Sequence, residues 1–181
     1  MERSSSGRYE AAVATMVAVL AVAVSAYTAY VQRQQVRAQV WPILEVNSGN
    51  EPELRLWIAN KGVGPALIRH VKVSLDGKPI TNWNAMLLEL YGHGDYFYSQ
   101  DQIGGRALSP GETLPAFVPR FNAAQHDLWV RFNRDRLRVG MDICYCSTLG
   151  DCWWVISPPG QGSKTEEARK CPPPDANSFQ Q

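Results

Sequence analysis

The sequence predicts a mainly β protein in which an N-terminal transmembrane helix and a helical stalk precede an antiparallel β-sandwich with one short inserted helix. Three observations support this prediction. Residues 11–31 carry no charge, residues 43–157 repeatedly alternate apolar and polar side chains, and glycine, proline and asparagine separate the alternating segments. The 181 residues suffice for one domain with appendages, and 18 basic against 17 acidic side chains leave no basic excess. A nucleic-acid partner is therefore not expected.

Residues 11–31 have the length of a bilayer span. As a helix they rise about 31 Å, close to the thickness of the hydrocarbon core. Tyr27 and Tyr30 lie at the carboxyl end of the run, and tyrosine favours the membrane interface. The alternative is a cleaved signal peptide, for which residues 24–26 offer small side chains. The apolar run continues beyond that point, which favours an anchor that is kept, with the lipid bilayer as a partner of the chain.

The cysteines indicate on which side of the membrane the domain lies. Arginines flank the span on both sides, so the positive-inside rule does not decide the orientation. The four cysteines all follow the span, and an even number of cysteines fits an oxidising compartment. The sequence therefore predicts that residues 1–10 lie in the cytoplasm and that the domain lies outside it.

Beyond the span, the helix is predicted to continue as a stalk over residues 32–41. Val36 and Val40 share one helical face, and Pro42 ends the helix because the residue before a proline disfavours the α region. Period-2 alternation then predicts strands with one buried face. The clearest examples are residues 53–59, 70–75, 128–132 and 137–143.

One helix is predicted within the strand region. Apolar side chains from Trp83 to Tyr91 recur at helical spacing, with Thr81 as the predicted N-cap and Gly92 at the C′ position. After residue 157 the chain is rich in proline and polar residues and has no period, so residues 158–181 are predicted to be a disordered tail. The predicted domain therefore covers residues 42–157.

Two segments resemble a known class of module. The segment IANKGVGPALIRHVKVSLDGKPI at residues 58–80, followed by LSPGET, resembles the Ig-like β-sandwich modules of bacterial surface and envelope proteins. The Trp-Pro after the span and the YCSTLGDCW hairpin at residues 145–153 are similar to small single-pass proteins of bacterial envelopes. The resemblance implies an Ig-like domain in the periplasm, anchored in the inner membrane. Because these motifs specify a fold more than a function, we predict a role in binding or scaffolding rather than catalysis, with no cofactor.

The cysteines are candidate disulfides. Cys146 and Cys152 flank a five-residue connection and could face each other across a hairpin, which leaves Cys144 and Cys171. Four cysteines permit three connectivities, and the sequence does not choose among them. A thiol-based metal carrier is the alternative. The spacing lacks the paired C-x2-C of structural zinc sites, so no metal site is predicted.

An aromatic stretch after the predicted helix is a candidate surface for glycan or peptide contact, because exposed aromatic side chains are favoured at interfaces. Its candidate residues are Tyr91, His93, Asp95, Tyr96 and Tyr98. In the competing interpretation, Tyr96 and Tyr98 flank a short strand whose Phe97 packs inward. A cell-envelope hydrolase or enzyme accessory that uses His93 and Asp95 is the alternative function. No catalytic motif accompanies these two residues, so an enzyme is not predicted.

Two further groups are candidate contacts. Arginines cluster at a predicted hairpin tip, where they could touch anionic headgroups or an acidic partner. Small side chains form a stripe along the span, which could pack against another helix of a protein partner or of a second copy. The arginines are Arg131, Arg134 and Arg136, and the stripe is Ala14, Ala18, Ala21 and Ser25.

Overall fold

The computed structural model describes residues 4–92, 96–122 and 125–180. The chain divides into two compact units, residues 1–39 and residues 40–181. Among the described residues, the first unit consists of one helix, and the second unit contains the strands.

Helix α1 (Ser4–Gln39) is long and apolar enough to cross a membrane. Its most apolar 18-residue window has a mean hydropathy of 2.0. The hydroxyls of Thr15, Ser25 and Thr28 donate to backbone carbonyls four residues earlier, at 2.8–2.9 Å. These bonds satisfy the hydroxyls within the helix, as an apolar surrounding requires. The helix ends at Gln39, slightly before the predicted end of the stalk.

In its described residues, the second unit contains strands, two α-helices and a 3-10 turn. The strands are β1 (Leu44–Gly49), β2 (Arg55–Asn60), β3 (Ala66–Leu75), β4 (Lys78–Ile80), β5 (Tyr98–Ser99), β6 (Ala107–Leu108), β7 (Thr113–Pro119), β8 (Val139–Cys146), β9 (Cys152–Ser157) and β10 (Lys164–Ala168). The helices are α2 (Trp83–Tyr91) and α3 (His126–Asp135), and the 3-10 turn is Arg136–Arg138.

The strands form two sheets. The first has the order β1-β2-β7-β5, and the second has the order β10-β9-β8-β3-β4, with β6 also paired to β3. Every described pairing is antiparallel, for example Leu67 opposite Cys146 and Cys146 opposite Cys152. The three helices together hold about as many residues as the strands, so the prediction of a mainly β chain is too simple.

One hydrophobic core joins both sheets and both short helices. Phe117 of β7 lies at its centre, with its ring centroid 5.0 Å from Trp83 of α2, 5.0 Å from Tyr98 and 5.4 Å from Phe132 of α3. Ile143 of β8 is among the fully buried residues of the second sheet. Since both sheets and both short helices contribute large side chains to this core, the core fixes their relative positions.

Asn60 is a buried hydrogen-bond hub at the end of the domain where the chain arrives from α1. Its side-chain oxygen accepts from the N–H of Ile43 at 3.2 Å and of Gly62 at 3.0 Å. Its amide nitrogen donates to the carbonyls of Gly64 at 2.8 Å and Leu108 at 3.0 Å. The side chain thereby uses its full hydrogen-bonding capacity, which is what a completely buried amide needs.

Both ends of α2 are capped by the residues that flank the helix in the sequence. Asn82, one residue after the predicted Thr81, is the N-cap, and its side chain accepts from the N–H of Ala85 at 2.8 Å. Gly92 closes the helix with φ +79° and donates its N–H to the carbonyl of Leu88, as predicted for a C′ glycine.

The strand predicted over residues 128–132 is wrong, because this segment lies within α3. Phe132 is fully buried, Trp129 packs against the core three residues earlier, and Val130 is 49% exposed. That spacing of three is helical. A short apolar run fits both the two-residue period of a strand and the 3.6-residue period of a helix. The packing of Phe132 on Phe117 selects the helix.

The disordered tail predicted for residues 158–181 is also wrong over the part that the structure describes. Strand β10 pairs with β9, with Glu166 opposite Trp154. The N–H of Phe179 donates to the carbonyl of Val71 at 2.9 Å, and its ring lies 4.6 Å from Trp83. These partners are distant in sequence, so local composition carried no sign of them.

We predict that Phe117→Ala lowers the free energy of unfolding by about 3–5 kcal/mol, because it leaves a cavity among three aromatic rings. Phe97→Ala is the matched control. Phe97 is 83% exposed, so its replacement should change stability by less than about 0.5 kcal/mol. Urea unfolding of the full chain in detergent measures both values. Equal losses in the two variants would contradict the placement of Phe117.

Candidate functional site

The four cysteines lie together on the face of the second sheet that points away from the main core. Along β8, Met141, Ile143 and Tyr145 enter the core, whereas Cys144 and Cys146 belong to a second, smaller buried cluster. Cys146 is bonded to Cys152, directly opposite it in the β8–β9 hairpin. Cys144 is bonded to Cys171 of the tail, with 5.6 Å between their Cα atoms. None of the four cysteines is free.

The two disulfides touch each other. The Sγ of Cys146 lies 3.7 Å from the Sγ of Cys171, and the Sγ atoms of Cys146, Cys152 and Cys171 all lie within 4.8 Å of one another. This spacing would suit a metal ion if the sulfurs were thiolates. A disulfide sulfur is not a thiolate, so in this oxidised state the cluster offers no thiolate ligand.

His70 of β3 holds the tail against the cluster. Its Nδ1 lies 3.2 Å from the carbonyl oxygen of Pro172, and its Nε2 lies 3.2 Å from the Oγ of Ser178. Because a carbonyl only accepts, Nδ1 carries a proton. His70 is 2% exposed and its ring lies 5.6 Å from that of Trp154.

Ser178 extends this contact to a carboxylate. Its hydroxyl lies 3.0 Å from the Oδ1 of Asp175, and the N–H of Asp175 donates back to the Oγ at 2.6 Å. Lys72, two residues after His70, lies 3.7 Å from the other carboxylate oxygen. Serine, histidine and aspartate meet here, but the carboxylate contacts the serine and the histidine is buried. The contacts among His70, Ser178 and Asp175, together called the clasp, hold the tail in place. A catalytic triad would instead have the histidine between the serine and the carboxylate.

A cavity of about 400 Å³ opens beside the disulfides and the clasp. Arg69 of β3 and Lys170 of the tail line it together with Cys146, Cys171 and the prolines at 172–174. Sequence reasoning missed both this cavity and the clasp. The only sign in the sequence was the fourth cysteine, Cys171, inside a segment that otherwise looked disordered.

The aromatic stretch is only partly described. His93 and Asp95 lie outside the described residues. Tyr96 packs edge-on against Tyr91, with 5.4 Å between ring centroids, and Tyr98 donates its hydroxyl to Asn84 at 3.2 Å. Phe97 is 83% exposed, so the expectation that it packs inward is wrong.

Tyr91 brings the aromatic stretch into contact with one of the arginines. The guanidinium carbon of Arg131 lies 5.0 Å from the centroid of the Tyr91 ring. Burial, and then the nearby charge of Asp135, raise the pKa of Tyr91 to about 12, while Arg131 opposes the shift. Tyr91 is therefore a neutral, largely structural group at any ordinary pH.

The arginines do not surround a hairpin tip, because they lie on α3 and on the 3-10 turn. Arg134 contacts the buried carboxylate of Asp135 at 3.4 Å. Arg136 donates to Asn133 at 3.0 Å and to the hydroxyl of Ser48 on β1 at 2.8 Å. Arg134 and Arg136 thus already have protein partners.

The stripe on α1 is exposed along its whole length. Its residues are Ala14, Ala18, Ala21 and Ser25. The Ser25 hydroxyl donates to the Ala21 carbonyl within the same helix, so its hydrogen-bonding need is met without a second helix. Contact through the stripe stays a prediction.

Comparisons of the chain with family models, curated proteins and solved structures found no match.

We predict that the two disulfides contribute unequally to stability. Cys144–Cys171 closes a separation of 27 residues and Cys146–Cys152 one of 6, so loop-closure entropy assigns them about 3.5 and about 2 kcal/mol. Pairwise replacement by alanine, followed by urea unfolding of the full chain, measures each contribution. Non-reducing peptide mapping of the unaltered protein is the control. A larger loss from the Cys146/Cys152 pair than from the Cys144/Cys171 pair would contradict this ranking.

We predict that the clasp weakens in acid. The hydrogen bond from Ser178, the N–H of Asn177 and the charges of Lys72 and His70 hold the pKa of Asp175 below its ordinary value of 3.8. A lowered carboxyl pKa stabilises the folded state above the ordinary value, and that stabilisation is lost as the pH falls through the lowered one. Hydrogen exchange at the N–H groups of Phe179 and Gln180, corrected for intrinsic rates, should accelerate below about pH 4.

The matched control for this acid effect is Asp175→Asn, which keeps an acceptor oxygen but cannot ionise. Its exchange at the same two amides should depend less on pH in that range. An identical pH dependence in both proteins would show that Asp175 is not the responsible group.

Proposed function

We propose that the protein is a membrane-anchored extracytoplasmic module that binds or scaffolds a partner and is not an enzyme. One observation carries this proposal. A helix long and apolar enough to span a bilayer is followed by a unit whose four cysteines are all in disulfides. Disulfides persist in oxidising compartments and are rare in the cytosol. The combination favours a domain held outside the cytoplasm by its N-terminal helix.

The strand order supports an Ig-like identity for the domain. The order β1-β2-β7-β5 corresponds to A-B-E-D, and the order β9-β8-β3 in the second sheet corresponds to G-F-C. Strand β10 adds to the edge beyond G. Two features depart from antibody-type domains: neither disulfide joins strands B and F, and the central tryptophan, Trp83, lies on α2.

Within this proposal, the chain lies in a bacterial inner membrane with its N-terminus in the cytoplasm and its domain in the periplasm. The resemblance to bacterial envelope modules and the paired cysteines support this assignment. The partner is a protein, met either through the stripe on α1 or through exposed apolar side chains of the domain. Phe97 at 83% and Leu88 at 56% exposure are candidates for the second kind of contact.

The other candidate functions have less support. A hydrolase would need His93 and Asp95 to converge with a nucleophile, and both residues lie outside the part of the chain that the structure describes. A thiol-based metal carrier would need free thiolates, whereas the four cysteines pair with one another.

We predict that the domain is reached from outside the cytoplasm and that its thiols are masked there. In Gram-negative cells producing the full chain, protease added to spheroplasts should degrade the domain. A maleimide reagent should label no cysteine before reduction and all four afterwards, because each sulfur is in a disulfide. The mass of the purified chain should include residues 11–31. A protected domain with reactive thiols would contradict the orientation, and a chain lacking the helix would identify a cleaved signal peptide.

A further inference from the structure

The cavity beside the disulfides is lined by both apolar and cationic residues. Its floor is apolar, formed by Cys146, Cys171 and three successive prolines at 172–174. Its charged residues, Arg69 and Lys170, are both cations, and its described lining residues include no carboxylate. An anion with an apolar portion would meet both kinds of surface at once.

The two cations are brought together by the fold. Arg69 projects from β3, where the neighbouring Leu67 pairs with Cys146. Lys170 directly precedes Cys171, which the disulfide to Cys144 fixes beside the same sheet. Both side chains are exposed, and among the described residues no ion pair joins either of them to a carboxylate. Their charges therefore remain available to a ligand.

The cavity lies at the end of the domain where the chain arrives from α1. The N–H groups of Val63 and Gly64 donate to the carbonyl of Trp41, at 3.0 and 3.2 Å, and the chain then runs directly into β3. Exposed apolar side chains occur at this end, with Val63 64% exposed, Trp41 51% and Leu149, in the β8–β9 hairpin, 48%. Aromatic and apolar side chains with neighbouring cations are typical of a membrane-interface surface.

The tether limits how far this end can lie from a bilayer. Only residues 32–39 separate the predicted span from the domain. Even fully extended, that segment reaches about 28 Å. Lipid headgroups are consequently the anions present at the highest local concentration near the cavity.

We propose that this cavity binds the headgroup of an anionic phospholipid, with Arg69 and Lys170 contacting the phosphate and the prolines and the disulfide packing against the glycerol region. The inference rests on the membrane anchoring proposed above. Free phosphate shares part of this chemistry, so the experiment separates the two sources. Anionic lipid surfaces attract cationic segments close to them, which adds to the local contacts.

Hydrogen exchange of the full chain in nanodiscs tests the proposal. One preparation contains phosphatidylcholine alone, and the other contains equal parts of phosphatidylcholine and phosphatidylglycerol. Exchange in peptides covering residues 67–70 and 169–171 should be slower in the anionic discs. The double variant Arg69→Gln/Lys170→Gln should lose this difference. Because both side chains are exposed, the variant should keep its fold, which peptide mapping of both disulfides checks.

The matched control is Lys61→Gln/Lys78→Gln, which removes the same charge from exposed positions outside the cavity. It should keep the slower exchange. An equal loss in both double variants would overturn the proposal in favour of general surface attraction. Equal protection by inorganic phosphate in phosphatidylcholine discs would overturn it in favour of a free-anion site. No difference between the two lipid compositions would also overturn it, whereas failure of the chain to enter the discs would instead refute the membrane anchoring.

Discussion

The hydrogen bonds of Asn60 hold together the end of the domain at which β1 and β3 begin and β2 ends. This one buried amide links the chain arriving from α1, the loop after β2 and strand β6 through four hydrogen bonds. Leaving any of these buried groups unpaired would cost stability, so the amide enforces the arrangement of all three segments. Gly62 and Gly64 complete it, because a Cβ at either position would collide with the backbone at residues 40–43. The start of β1, the end of β2 and the start of β3 are thereby placed together.

The face of the second sheet that points away from the main core depends on a different constraint. The tail residues from Cys171 to Phe179 lie against this sheet, where the N–H of Phe179 donates to the carbonyl of Val71. The Cys144–Cys171 disulfide and the contacts of His70 with Pro172 and Ser178 order them. These contacts bury a histidine and a disulfide pair that would otherwise be exposed to solvent. The same tail carries Lys170, so the covering of the sheet also builds the wall of the cavity.

The two constraints give the domain a chemically distinct end. Trp41 and Val63 lie beside the Asn60 hub at the point where the chain enters the domain, and the disulfide-held tail adds a cation beside Arg69. Under the membrane anchoring proposed above, this end would contact lipid, and exposed side chains elsewhere, such as Phe97, would be left for a protein partner. The rigid core around Phe117 keeps these surfaces at fixed positions.

The sequence by itself determined the features that depend on neighbouring residues. The uninterrupted apolar run defined the long helix, alternation located strands such as β3 and β8, and Gly92 marked the end of α2, because span length, period and left-handed backbone are local properties. Only the tertiary structure decided that residues 128–132 are helical and that the tail is ordered. In the first case a short apolar run fits two periods, and Phe132 selects the helix by packing on Phe117. In the second, Cys171 and Ser178 gain their partners from β8 and β3, strands far away along the chain, and no local pattern encodes a contact between segments that meet only after folding.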